Sequence, residues 1–97
     1  MEIGKIYTFK LNSGEELIAK LQGITRDHYI IGNPVSVAPS QKGIGLVPSM
    51  FTADTDSKIL LNINSVSISA DTESSICDKY IEITTGIVLP EKKIVMG

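Results

Sequence analysis

Three side chains within one short segment, Arg26, His28 and Tyr29, have the chemistry needed to bind a nucleic-acid base. A tyrosine or histidine ring can stack on a base, and an arginine can add a phosphate contact or a cation–π contact. The competing interpretation is a solvated hairpin turn in which Tyr29 begins the buried face of a strand. The residue types alone leave both interpretations open.

Two asparagines, Asn62 and Asn64, form a second candidate group. A side-chain amide carries both a donor and an acceptor, which suits it to reading the edge of a base. Asparagine also satisfies backbone groups where a chain bends. A purely structural role therefore explains this pair equally well.

No group of side chains in the sequence specifies a reaction. Cys77 is the single cysteine, and the single histidine lies far from it in sequence, so a thiol–base pair is not indicated. Asp54 and Asp56 lack the other ligands of a calcium loop. Gly43-Ile44-Gly45 is not followed by the Lys-Ser or Lys-Thr of a phosphate loop. We expect no catalytic residue, no metal site and no cofactor, and a protein that is not an enzyme.

Length and charge narrow the class of partner. The 97 residues suit a single domain, and nine Lys and Arg against eleven Asp and Glu give a net charge of −2. Strong sequence-independent binding to nucleic acid needs many phosphate contacts by Lys and Arg, and a negative net charge disfavours them. Residues 1–4 lack the basic start and apolar core of a signal peptide, and no apolar run reaches membrane-spanning length. We therefore expect a cytoplasmic protein without membrane contact.

Alternation of apolar and polar residues between Tyr7 and Val37 predicts three strands joined by two tight turns. Gly14 is expected to need a positive φ in the first turn, and Gly23 to mark a bend. Pro34 should end the regular pairing of the third strand, after which an edge segment continues. The five predicted strands cover residues 5–11, 16–24, 29–38, 45–51 and 59–70, and the last is expected to bend near Asn64-Ser65 so that Val66, Ile68 and Ala70 face inward.

The C-terminal part is predicted to be helical. Asp71 or Thr72 can cap a helix over residues 73–83, in which Ile76, Tyr80 and Ile83 form one apolar stripe. After this helix, residues 87–89 are expected to be extended and to pack on the rest of the chain. The sequence thus predicts a β-barrel over residues 1–70, with a helix and tail over residues 71–97 packed on it as one domain.

Five short, strongly bent strands in this order resemble the Sm-like fold, an open barrel of the SH3-like type. The turn Ser13-Gly14-Glu15 between two strands resembles the opening of the first Sm motif, and 64–68 resembles the close of the second. Four longer sequence segments are similar to segments of small Sm-like proteins encoded by tailed phages and found in marine sequence. The four segments are Ser13-Gly14-Glu15-Glu16-Leu17-Ile18, Gly32-Asn33-Pro34-Val35, Gly43-Ile44-Gly45-Leu46 and Gly86-Ile87-Val88-Leu89-Pro90.

The resemblance implies a homo-oligomeric ring, which we expect to contain five to seven subunits. In Sm proteins strand four of one subunit pairs with strand five of the next, and single-stranded RNA binds near the pore between two loops. The matching loops here hold Arg26, Asp27, His28 and Tyr29 in one, and Asn62 and Asn64 in the other. The family's Arg-Gly pair is absent from the second loop, and in an ungapped alignment Tyr29 stands where the family has Asn.

Two functions follow as expectations. One is a ring with RNA-binding or RNA-chaperone-type activity, which in a phage-encoded protein would act in the host cytoplasm. The other is a structural or adaptor ring that binds other proteins and not RNA. The family resemblance favours the first, and the net charge favours the second.

Overall fold

The computed structural model describes residues 1–41, 43–54 and 56–85. Within these ranges the chain is mainly β, as predicted, with one α-helix near the end. The elements are β1 (Ile6–Leu11), β2 (Glu16–Ile24), β3 (His28–Ser40), β4 (Gly43–Pro48), β5 (Ile59–Asn62), a 3-10 helix (Ile63–Ser65), β6 (Val66–Asp71) and α1 (Ser74–Thr85). The predicted span of β2 is confirmed to the residue.

All strands form one antiparallel sheet in the order β4-β3-β2-β1-β6, with β5 also paired to β3. The first half of β3 pairs with β5 and its second half with β4. The three-residue 3-10 helix joins β5 to β6, which lie at opposite ends of the sheet. Because such a helix rises only about 2 Å per residue, the sheet must curl until its two ends approach each other. The sheet is nevertheless not closed by a strand pair between them.

The concave face of the curled sheet holds the main core. Tyr7, Phe9, Leu17, Ala19 and Leu21 are all buried, as their alternation predicts. Burial of large apolar side chains such as these supplies the main driving force for folding. The turn between β1 and β2 is also as predicted, because Gly14 has a φ of 96°.

A second, smaller core lies between the other face of the sheet and α1. Ile18, Val35 and Tyr80 are buried there, with Ile76 packed against them. The predicted apolar stripe of the helix is therefore confirmed for Ile76 and Tyr80, whereas the third member of the stripe, Ile83, is half exposed.

A bulge in β3 gives the helix its attachment point. Ile18 faces Val35 and Lys20 faces Gly32, so β3 has one more residue than β2 between these pairs. Within the bulge Asn33 takes a φ of 48°, a conformation that non-glycine residues adopt rarely. The hydroxyl of Tyr80 donates to the carbonyl oxygens of Gly32 and Asn33, at 2.9 and 2.8 Å. The single hydroxyl proton of Tyr80 is shared between these two acceptors, and it links the helix to the bulge.

Two expectations about residues 59–70 are corrected. The stretch is not one bent strand but two strands separated by the 3-10 helix, so the sheet has six strands and not five. The expectation that Ile68 and Ala70 face inward is also wrong, since both are exposed. A register shift between Lys10 and Leu11 places Val66 beside Leu11 but puts Ile68 opposite Lys10, on the other face.

Three boundaries also differ from the prediction. β3 continues through Pro39, because Pro34 lies in the bulge, where no ladder hydrogen bond is required of it. β4 ends at Pro48, before the predicted end at residue 51. The N-cap of α1 is Glu73 and not Asp71 or Thr72, because the Glu73 carboxylate accepts from the backbone N–H of Ile76 at 3.1 Å.

The prediction that residues 87–89 pack on the rest of the chain lies outside the described residues. In the part of the chain that is described, no helix has both the length and the apolar character needed to cross a membrane.

Candidate nucleic-acid interface

The two candidate loops of the sequence analysis lie side by side. The register of β3 with β5 places His28 opposite Asn62. One step further, the backbone N–H of Ile63 donates to the carbonyl oxygen of Asp27 at 3.0 Å. Residues 25–28 and 62–65 therefore form one continuous surface, here called the junction. Its two halves are 34 or more residues apart in sequence.

The β2–β3 turn is closed by Thr25. Its hydroxyl accepts from the backbone N–H of His28 at 3.0 Å and donates to the carbonyl oxygen of the same residue at 3.2 Å. This arrangement leaves Arg26 and Asp27 exposed at the tip. Arg26 makes no ion pair or hydrogen bond with the described residues, so its guanidinium group is available to a ligand.

The two aromatic rings of the turn have different environments. His28 is half-buried at the end of β3. Tyr29 is also half-buried, and its ring lies 5.4 Å from the ring of Phe9, at the border of the main core. The environment of Tyr29 thus matches the buried-strand interpretation, and Arg26 and Asp27 are the exposed side chains of the turn.

The asparagines of the second loop take part in local hydrogen bonds. The Asn62 side-chain oxygen accepts from the backbone N–H of Asn64 at 2.8 Å and caps the 3-10 helix. The carbonyl oxygen of Asn64 accepts from the side-chain amide of Asn12 at 2.7 Å. The Asn62 amide nitrogen has no hydrogen-bond partner among the described residues and can donate to a ligand.

Sequence reasoning missed two residues of this surface. Asn12 and Ser13, from the β1–β2 turn, line an open cleft of about 320 Å³ together with Asn62, Asn64 and Ser65. The backbone N–H of Asn12 also donates to the carbonyl oxygen of Ser65 at 2.8 Å. The residue types of their own segment indicate a turn and no binding site. The pairing of β1 with β6 brings both residues to the cleft.

The described residues near the junction do not form a reactive centre. Cys77 lies on α1, and burial followed by the nearby Asp78 raises the pKa of its thiol, which disfavours the reactive thiolate. Among residues 1–41, 43–54 and 56–85, no group of three His, Cys, Asp or Glu side chains is placed to hold a metal ion.

The most exposed large apolar side chain among the described residues lies elsewhere, in the segment between β4 and β5, here called the excursion (residues 49–58). Phe51 is 84% exposed and Met50 is 53% exposed. An exposed aromatic residue beside another large apolar residue is typical of a surface that contacts a partner.

Comparison with known proteins adds no family to this description. No protein-family model matches the sequence, and a search of curated proteins found no match.

Proposed function

We propose that this chain is an Sm-like protein whose copies assemble into a ring and bind single-stranded RNA at the junction. The observation that carries the proposal is the hydrogen bond between Ile63 and Asp27, which brings the two candidate loops together. The proposal is also supported by the mainly β architecture, in which the described strands form one antiparallel sheet.

Ring assembly is supported by the two ends of the sheet. Among the described strands, β6 pairs only with β1, and β4 and β5 pair only with β3. Free strand edges are a liability in a soluble protein, and pairing between neighbouring copies removes them. We propose five to seven copies, as in the rings that the sequence resembles.

The mode of RNA binding follows from the charges. Each subunit carries a net charge of −2, so a ring repels a polyanion at long range. Affinity must therefore come from short-range contacts, and stacking contributes about 1–3 kcal/mol per base. We assign the short-range contacts to two side chains of the junction. Arg26 is exposed, and His28 is half-buried. Repetition of a weak site around a ring raises the overall affinity.

The test compares single alanine variants in binding to oligo-U and oligo-A at low salt. Arg26→Ala and His28→Ala should each weaken binding, whereas Lys10→Ala, which removes an exposed charge from β1, should leave it nearly unchanged. Tyr29→Ala is a poor probe because its ring supports Phe9. Binding that depends steeply on salt, or that falls equally in all three variants, would contradict stacking at the junction.

The second candidate function is a ring that binds protein. The exposure of Phe51 favours it, because that side chain lies outside the junction and has the chemistry of a protein contact. If no oligonucleotide binds at low salt while the ring remains assembled, this adaptor function replaces RNA binding. A Phe51→Ser variant should then lose the protein partner and keep the ring.

A further inference from the structure

An apolar groove lies where the end of α1, the bulge of β3 and the excursion meet. It encloses about 160 Å³, and its lining includes Pro34, Val35, Pro48, Met50, Ile59 and Ile83. A volume of this size accommodates a group about as large as benzene. None of the described residues that line the groove is charged. An apolar side chain is therefore the occupant that this groove fits.

The chain itself provides a suitable occupant. The groove is lined in part by Thr84, and the described chain ends one residue later, at Thr85. Twelve residues follow in the sequence, 86–97, and Ile87-Val88-Leu89 is their first apolar run. Because a chain spans at most about 3.3–3.6 Å per residue, these side chains begin within roughly 7 Å of Thr85. The groove is thus within reach without any rearrangement of the helix.

The exposed surface around the groove supports the same assignment. Ile83 is 50% exposed and Met50 is 53% exposed on its two sides. Burying one large apolar side chain is favourable, so covering this surface stabilises the fold. The next block of the tail, Glu91-Lys92-Lys93, is charged and is a poor occupant of an uncharged groove.

We propose that the groove is the docking site of the chain's own residues 87–89. When docked, these residues contact both the excursion and α1. Docking there places one segment against three elements that are otherwise separate in sequence. The excursion, with its exposed Phe51, would then take its position from the C-terminal tail.

A disulfide trap in the full chain tests the proposal. In a Cys77→Ser background, Ala53→Cys lies in the groove and Val88→Cys lies in the tail. Oxidation at low protein concentration should give an intrachain disulfide, detected by mass after proteolysis. The matched control replaces Ala53→Cys with Lys10→Cys, at an exposed position of β1, and should cross-link several-fold less. Equal cross-linking of both pairs, or a disulfide formed only between two chains, would overturn the proposal.

A fluorescence measurement tests it without a covalent bond. The protein has no tryptophan, so Met50→Trp introduces a single reporter at the groove. Replacing Ile87, Val88 and Leu89 together with serine should shift its emission to longer wavelength. The control block, Glu91, Lys92 and Lys93 to serine, should leave the emission unchanged. If the apolar block has no more effect than the charged block, the tail does not occupy the groove.

Discussion

At the scale of single residues, Tyr80 connects the helix to the sheet in two ways. Its ring is buried against Ile18 and Val35, and its hydroxyl serves two carbonyl groups of the β3 bulge. A buried carbonyl without a donor is costly, so the phenol oxygen matters separately from the ring.

Tyr80→Phe should therefore destabilise the protein while keeping its packing. Leaving the carbonyl of buried Gly32 without this donor costs about 1–3 kcal/mol, to be measured by urea unfolding. The control is Lys79→Ala, an exposed neighbour on the same helix, which should change the stability by less than about 0.5 kcal/mol. Equal unfolding midpoints for wild type and Tyr80→Phe would show that the two hydrogen bonds do not contribute.

The ionisation of Tyr80 should lower the stability of the protein at alkaline pH. Burial raises the pKa of Tyr80 from 10.0 to about 12, so the folded protein keeps a proton that the unfolded chain has already released. The stability linked to this proton is complete below the unfolded pKa, at about pH 10, and is lost as the pH rises toward 12. Unfolding midpoints should fall between about pH 10 and about pH 12 more steeply in wild type than in Tyr80→Phe. Parallel pH profiles would contradict the assignment.

Residue types alone could not decide the role of Tyr29. Its place at the start of a strand was visible in the sequence, as was its stacking chemistry. The contact with Phe9 depends on how β1 lies across β3 through β2, and that is set by strand registers and not by local pattern. Asn12 was missed for the same reason, because its partners are more than 50 residues away.

At the scale of elements, α1 acts as the cover of the second core. Ending the chain after Asp71 would expose Ile18 and Val35, which the helix buries through Tyr80 and Ile76. Each large side chain exposed costs about 1.5–3 kcal/mol, which is a large part of the stability of a small domain. The melting temperature should therefore fall strongly.

A full-length variant separates the loss of the helix from the loss of the tail. Ile76→Asp keeps every residue of the tail but places a charge against the second core. It should lower the melting temperature in the same direction as the truncation. If the truncated protein melts at the wild-type temperature, the helix is not required as a cover.

Periodicity predicted the elements that bury a regular set of side chains. β1, β2 and the stripe of α1 carry this pattern within their own residues. The break between β5 and β6 was not predicted as two strands, because the apolar residues on both sides allow one bent strand equally well. Their separation depends on which neighbour each pairs with, β3 or β1.

At the scale of the whole molecule, the exposed side chains at the two ends of the sheet predict what would prevent assembly. Ile68 on β6 is 60% exposed, and Leu60 on β5 is 56% exposed. A lysine at either position should weaken pairing between copies, since charges on edge strands oppose strand addition. Light scattering should report a smaller particle for Ile68→Lys and Leu60→Lys than for wild type.

Ile24→Lys is the matched control for these variants. Ile24 is 49% exposed but lies on β2, an inner strand of the sheet. This variant should keep the wild-type particle size. A wild-type protein that is a stable monomer at micromolar concentration would rule out the ring.

The excursion offers a place where the chain can be lengthened. Pro48, where it leaves the sheet, faces Val35, and Ile59, where it returns, faces Ile31, so its two ends are held close together by the same strand. The entropic cost of closing a loop grows slowly, by about 0.6 kcal/mol for each doubling of its length. Foreign peptides grafted here would leave the strand registers unchanged, and each copy in an assembly would display one of them.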